Sequence, residues 1–303
     1  YMIIPSALQK GDTIAFASPA RSISAEQIQF AVSFFEAAGY CLRIDNEVFA
    51  VENQFGGSDA LRATHFNRLL ADTSVKAIIS SRGGYGSMRM AEMLDLSLLA
   101  KNPKWIAGYS DITVLLSLIN HETGIECIHG PMLNDMATAD KSSCEMLIRV
   151  FGGEAPQYHF AGHPMNRAGK ASGKLVGGNL SMLYSLAAAK MLPPTDGAVL
   201  FLEDVDEYLY HIDRMLLSLR KAGYFSNLAG VIVGAFSAMH DNSIAFGRNV
   251  EEMIREHTNT SNCPVAFGFP AGHQPQNLSL ILGRETAIEA KNNGISALTQ
   301  LSI

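Results

Sequence analysis

Residues 105–113 read WIAGYSDIT, and the fold turns on how that string is divided. Trp105-Ile106-Ala107 is a short apolar run, Gly108-Tyr109-Ser110-Asp111 is a turn, and Ile112–Ile119 has helical apolar spacing. A buried strand that turns at once into a helix is the repeating unit of a parallel sheet covered on both faces. The unit recurs on either side. Thr13–Ala17, Cys41–Asp45, Val75–Ser80 and Ile125–Ile128 read as strands. Among them, Ser24 and Gln27 form a capping-box pattern ahead of Ile28, Ala31, Phe34 and Phe35, and Gly39 stops that helix. Asp59–Leu70 and Ser87–Met93 supply further helical segments.

The pattern breaks over Phe151–Gly173, FGGEAPQYHFAGHPMNRAGKASG, which is rich in Gly, Pro and polar residues. Residues 151–172 therefore read as a linker between an N-terminal α/β domain (1–150) and a C-terminal mixed domain (173–303). In the second domain, helices at Leu180–Ala189 and Ile212–Ala222 alternate with strands at Ala198–Leu202 and Gly230–Ala235. Leu278–Leu282, Thr286–Ala290 and Ala297–Leu301 are strand-like, and Asn293-Gly294 is a hairpin turn before the last. The chain thus predicts an α/β protein, a parallel-sheet domain followed by a smaller mixed one.

Composition narrows the function classes. Of 303 residues, 48% are hydrophobic and 17% charged, the profile of globular domains. No run approaches the ~18 apolar residues of a membrane span, and Tyr1–Pro5 lacks the basic start of a secretory signal. The four cysteines are scattered with no CxxC pair, and Cys41 and Cys127 lie in apolar runs, so a reduced compartment is expected. A net charge of −6 without basic blocks argues against nucleic acid. H-E-x-x-H is absent, so a catalytic metal is not expected, and no cofactor is expected either.

Chemistry in such sheets sits at the carboxyl ends of strands. One such end is Ser80-Ser81-Arg82-Gly83-Gly84-Tyr85-Gly86-Ser87, a glycine turn that is neither a Walker loop nor a clean GxGxxG. The other is the opening stretch. Gly108-Tyr109-Ser110-Asp111 carries the G-x-S part of a nucleophile elbow, but Ile112 stands where the final glycine would be. A helix cap is the simpler use of Ser110. A nucleophilic serine also needs a base and a group to orient that base. His65, His121 and His211 lie on helical segments, whereas His129 ends a strand and His273 lies in a loop between strand signals. Glu203 ends the apolar run Ala198–Leu202, with Asp204, Asp206 and Glu207 behind it as either a solvated turn or a cation site.

Taken together and in order, these motifs resemble the LD-carboxypeptidase family of serine peptidases, which also includes the microcin C self-immunity peptidases. The resemblance runs over the whole chain. It rests on Arg82-Gly83-Gly84-Tyr85-Gly86, Gly108-Tyr109-Ser110-Asp111, His129-Gly130-Pro131-Met132, Gly177-Gly178-Asn179-Leu180, Leu202-Glu203-Asp204 with Asp213-Arg214-Met215-Leu216, and Gly272-His273. It implies a flavodoxin-like domain followed by one of β-barrel character, and a triad of Ser110, Glu203 and His273. It further implies release of D-alanine from a murein tetrapeptide by a cytoplasmic homodimer. Asp111 and either Gly83 or Gly84 are then expected to supply oxyanion N–H groups, and Arg82 to meet a substrate carboxylate or form an ion pair. The alternatives are a peptidase of microcin-like peptidyl nucleotides and a non-catalytic small-molecule binding protein.

Overall fold

The computed structural model describes residues 2–189 and 191–302. In chain order the strands are β1 (Thr13–Ala17), β2 (Cys41–Arg43), β3 (Val75–Ser80), β4 (Trp105–Gly108), β5 (Cys127–His129), β6 (Gln157–Ala161) and β7 (Gly169–Asn179). There follow β8 (Val199–Val205), β9 (Gly230–Ser237), β10 (Val265–Phe267), β11 (Leu280–Leu282), β12 (Glu285–Ala290) and β13 (Ile295–Gln300). The helices are α1 (Ala25–Ala37), α2 (Asp59–Ala71), α3 (Ser87–Ala91), α4 (Leu96–Lys101), α5 (Thr113–Thr123) and α6 (Lys141–Phe151). Beyond them lie α7 (Leu180–Ala189), α8 (Leu209–Lys221) and α9 (Val250–His257).

Two compact units result, Tyr1–Glu154 with Pro275–Ile281, and Ala155–Gln274 with Leu282–Ile303. In the first, the sheet order is β11-β5-β4-β3-β1-β2. The pairs β1–β2, β1–β3, β3–β4 and β4–β5 are all parallel. Apart from β11 this is the flavodoxin-like order 2-1-3-4-5, as the alternation of strands and helices implies. Strands β3 and β4 are buried almost throughout, because helices cover both faces of the sheet. Cys41 departs from expectation: it opens the edge strand β2 and is exposed.

The second unit has the order β10-β9-β8-β7-β12-β13-β6. Its β7-β8-β9-β10 half is parallel and its β7-β12-β13-β6 half antiparallel, the latter built on the Asn293-Gly294 hairpin. The sheet curls back on itself. Arg167, just before β7, exchanges two backbone hydrogen bonds of 3.0 Å with Val265 of the opposite edge strand β10. Phe269 fills the curl, with its ring centroid 5.4 Å from both Tyr158 and Phe160 on β6 and 6.4 Å from Phe201 on β8.

Residues 151–172 are therefore more than a linker. Tyr158 and Phe160 point inward between exposed neighbours, an alternation hidden by the surrounding glycines and prolines. The chain also returns to the first unit over Pro275–Ile281, where β11 adds a strand beside β5. Three residues carry too short a pattern to declare such a partner. Helices α6 and α9, outside the sequence expectation, are capped by Asp140 and Asn249, whose side chains accept from Ser142 and Glu252 N–H groups.

One glycine is indispensable to this sheet. Gly177 holds φ at +125°, and a Cβ there would stand 2.0 Å from the Phe201 carbonyl oxygen. Gly177→Ala should lower stability by more than roughly 3 kcal/mol, or prevent folding, in urea titrations, because neither backbone can yield.

Candidate active site

Strand β4 delivers Ser110 to its carboxyl end, and the turn there is tight. Tyr109, with extended backbone, occupies the N-cap position of a short 3-10 turn, Ser110–Ile112, that leads into α5. Ser110 is thus past the cap position, and it holds φ at +61°. That region is uncommon outside glycine and costs of order 1–3 kcal/mol, and such strain gathers at functional sites. Gly108 allows the tight turn, since a Cβ there would stand 2.8 Å from the Ile112 side chain.

The glycine turn after β3 lies against Ser110. A Cβ on Gly83 would be 3.0 Å from Ser110 Oγ and 3.3 Å from Asp111 N. Gly84 faces elsewhere: its missing side chain would run into Arg21 at 2.4 Å. Of the two candidate oxyanion glycines, Gly83 is the one packed on Ser110. Arg82 is half-buried, reaches the Ser22 carbonyl at 3.5 Å, and pairs with no carboxylate among the described residues.

Two groups brace this corner in ways the sequence did not announce. Asp111 is buried; its Oδ2 accepts from Ser87 N at 2.9 Å, and its carbonyl accepts from Ser87 Oγ at 2.6 Å. The Asp111 carboxylate therefore ties the end of the glycine turn to the start of the serine turn. Burial raises its pKa, and the Ser87 hydrogen bonds oppose the rise. Arg62, on α2 and 3% exposed, donates to the carbonyls of Pro19, Gly57 and Gly86 and to Asp59. One guanidinium thus fastens three loops, a role that a helical Arg among polar neighbours does not advertise.

Glu203 and His273 meet in the other unit. Glu203 Oε2 lies 2.7 Å from His273 Nδ1, with the carboxylate fully buried and the His273 side chain 19% exposed. Glu203 is not at a strand tip, because β8 runs on to Val205. The β8–β9 register shifts between Leu202 and Asp204, an irregularity of the kind that re-aims side chains. Gly272, at φ +106°, lets the histidine loop close on the acid: a Cβ there would stand 2.8 Å from Glu203 Cβ. Ser237 Oγ donates to the His273 carbonyl at 2.7 Å and fixes the loop.

The acidic residues behind Glu203 are not one cluster. Asp204 is buried, and its carboxylate accepts from Asn179 Nδ2 and from the Ser181 N–H of α7, both at 2.9 Å. Burial first, then the Glu203 charge, pushes its pKa up to about 7. Asp206 and Glu207 instead pair with His240 and His211. Among the described residues the one cluster with metal-ligand spacing is Asp45, Glu47 and His65, and Arg43 and Arg68 already neutralise it. His129 is fully buried with its ring 5.7 Å from Tyr109, a core position beneath the serine turn.

With this geometry in place, comparison with known proteins identifies the class. Residues 14–130 match the LD-carboxypeptidase N-terminal domain and residues 172–288 the LD-carboxypeptidase C-terminal domain. The chain belongs to the LD-carboxypeptidase family of serine peptidases, and it is a hydrolase of the carboxypeptidase type. It is 33% identical to a probable murein peptide carboxypeptidase of Bacillus subtilis, over 94% of this chain and 91% of that protein. It is 25% identical to the microcin C7 self-immunity protein MccF of Escherichia coli, over 98% and 96% of the two chains. The crystal structure of muramoyltetrapeptide carboxypeptidase from Oxalobacter formigenes superposes with a TM-score of 0.87 at 25% identity, covering 95% of this chain and 99% of that one. No helix among the described residues is long and apolar enough to cross a membrane.

Asp204 offers a pH test. Its folded pKa of about 7 exceeds the ordinary 3.8, so its contribution to stability is full below about pH 4 and is lost as pH rises through 7. In Asp204→Asn an amide NH2 would face at least one of the three N–H donors, those of Asn179, Ser181 and Val205, at a cost of about 1–3 kcal/mol. The stability gap to wild type in urea titrations should be widest near pH 4 and narrow toward pH 7.5; a pH-independent gap would contradict the assignment.

Proposed function

We propose that the chain removes the terminal D-alanine of murein tetrapeptides through an acyl-enzyme formed on Ser110. The Glu203–His273 pair carries this reading. A buried carboxylate on Nδ1 holds the imidazole in the tautomer that leaves Nε2 as the base, and it stabilises the imidazolium formed on proton transfer. Catalysis on this reading requires His273 Nε2 within hydrogen-bond reach of Ser110 Oγ. His273 takes the hydroxyl proton as Oγ attacks the carbonyl of the last peptide bond. The N–H groups of Asp111 and Gly83 receive the developing oxyanion. His273 then returns the proton to the departing amine, D-alanine leaves, and water attacks the ester by the same route in reverse. Arg82, which pairs with no carboxylate among the described residues, is suited to the substrate's terminal carboxylate.

The substrate assignment leans on relatives named for murein peptides. A peptidyl nucleotide of the microcin type is the competing substrate, given the MccF likeness. Against it, the chain's one tryptophan, Trp105, is buried in β4 with Nε1 donating to the Ser6 carbonyl at 3.1 Å, and so offers no surface to a base. A cytoplasmic homodimer completes the proposal, to be checked by sedimentation.

Incubation with a murein tetrapeptide should release one alanine by mass spectrometry. Ser110→Ala and His273→Ala should each lose at least about 10³-fold in kcat, and Glu203→Gln roughly 10²–10⁴-fold. Wild-type rates in Ser110→Ala would end the mechanism; turnover of a peptidyl nucleotide alone would shift the substrate. Gly83→Ala should lower kcat by tens-fold or more, because its methyl presses on Ser110 Oγ.

A further inference from the structure

Strands β1, β3 and β4 of the first unit are parallel neighbours, and their carboxyl ends share the edge where open α/β sheets take ligands. Ser110 follows β4, the glycine turn Arg82–Gly86 follows β3, and Arg21 lies in the segment that follows β1. That segment is fastened to the glycine turn and to the loop before α2. Ser81 N donates to Ala17 O at 2.7 Å, Ser18 Oγ lies 2.8 Å from Ser81 Oγ, and Arg21 forms an antiparallel bridge with Phe55. The Arg21 stem lies across Gly84: a Cβ on that glycine would stand 2.4 Å from Arg21 Cδ and 3.1 Å from its Nε. Its side chain is exposed, and Nη2 donates to Gln54 Oε1 at 3.2 Å.

Four arginines surround this turn, and they divide into two kinds. Arg62 and Arg89 share Asp59 and are neutralised by it. Arg21 and Arg82 pair with no carboxylate among the described residues. Two guanidinium charges without counterions, on the loops beside a nucleophile, suit a substrate with more than one carboxylate. Gly83 packs on Ser110 Oγ and its neighbour Gly84 on Arg21. Standard backbone dimensions then place Arg21 Nε no more than about 13 Å from Ser110 Oγ.

We propose that Arg21 is a specificity-determining residue: it binds a carboxylate at the end of the side chain that precedes the scissile bond, and so selects diaminopimelate over lysine at that position. This rests on the murein peptidase reading above. Extended, diaminopimelate carries its second carboxylate roughly 8 Å from the scissile carbonyl carbon. With contacts of about 3 Å at each end, to Ser110 Oγ and to the guanidinium, that side chain spans the gap. Arg82 is left for the terminal carboxylate. Lysine ends in an ammonium alone, which would meet a like charge that nothing neutralises.

The test measures kcat/KM for murein tetrapeptides that differ only at the third residue: diaminopimelate, lysine, or diaminopimelate with its side-chain carboxylate amidated. Wild type should favour the free carboxylate over both others by roughly ten-fold, with the difference in KM. Arg21→Gln should bring both ratios close to one, and Arg21→Lys, which keeps a charge, should retain part of them. A purely structural role for the Arg21 stem would lower all three rates together and preserve the ratios, and that result overturns the proposal. Wild-type ratios near one overturn it too. If no peptide is cut, the peptidase reading fails separately, and calorimetry with the free and amidated diaminopimelate peptides decides the role of Arg21. Tighter binding of the free carboxylate by wild type, lost in Arg21→Gln, supports it; equal binding or none refutes it.

Discussion

A fully buried carboxylate facing a single imidazole is the constraint around which the second unit is built. Burying a carboxylate inside a sheet is costly without a partner, and among the described residues His273 Nδ1 stands 2.7 Å from Glu203 Oε2. Removing one member of such a pair typically costs about 3–5 kcal/mol. Several otherwise arbitrary features follow from keeping the two together. The β8–β9 register slips beside Glu203, Gly272 has no side chain to obstruct the approach, and Ser237 holds the histidine loop by its carbonyl. Asp204, next in the chain, anchors the start of α7 through Asn179 and Ser181. Two consecutive acids thus do opposite work, one holding a base and the other a helix.

The first unit concentrates strain and bracing at a single corner. Ser110 sits in a backbone region that a serine avoids, and the surroundings hold it there. Gly83 packs against it, Asp111 binds Ser87, and Arg62 fastens the loops behind the glycine turn. A strained residue persists only where its neighbours over-determine it, and these neighbours do. The strain also answers the ambiguity of WIAGYSDIT. A cap would leave Ser110 with extended backbone, and that conformation belongs to Tyr109.

Much of the fold was legible because its signals are local. Alternating strands and helices, the Ser24 capping box and the Asn293-Gly294 hairpin all express backbone preferences within a few residues. The segment 151–172 misled because its glycines and prolines masked the inward pair Tyr158 and Phe160. The return of Pro275–Ile281 to the first unit had no local signal at all. Among the site candidates, motif order pointed to Glu203, His273 and Ser110. The supporting roles of Arg62 and Asp204 depend on partners distant in the chain, such as Pro19, Gly86, Asn179 and Ser181.

The sequence by itself determined the α/β class, the parallel first sheet, the family and which residue types could do chemistry. Periodicity and turn chemistry act over a few positions and are written in the chain. Only the tertiary structure decided that Asp204 is buried and neutral-leaning while Glu203 faces a histidine, that Gly83 rather than Gly84 lies on Ser110, and that Ser110 is strained. Burial, register and close approach are set by residues far apart along the chain, so no local window contains them.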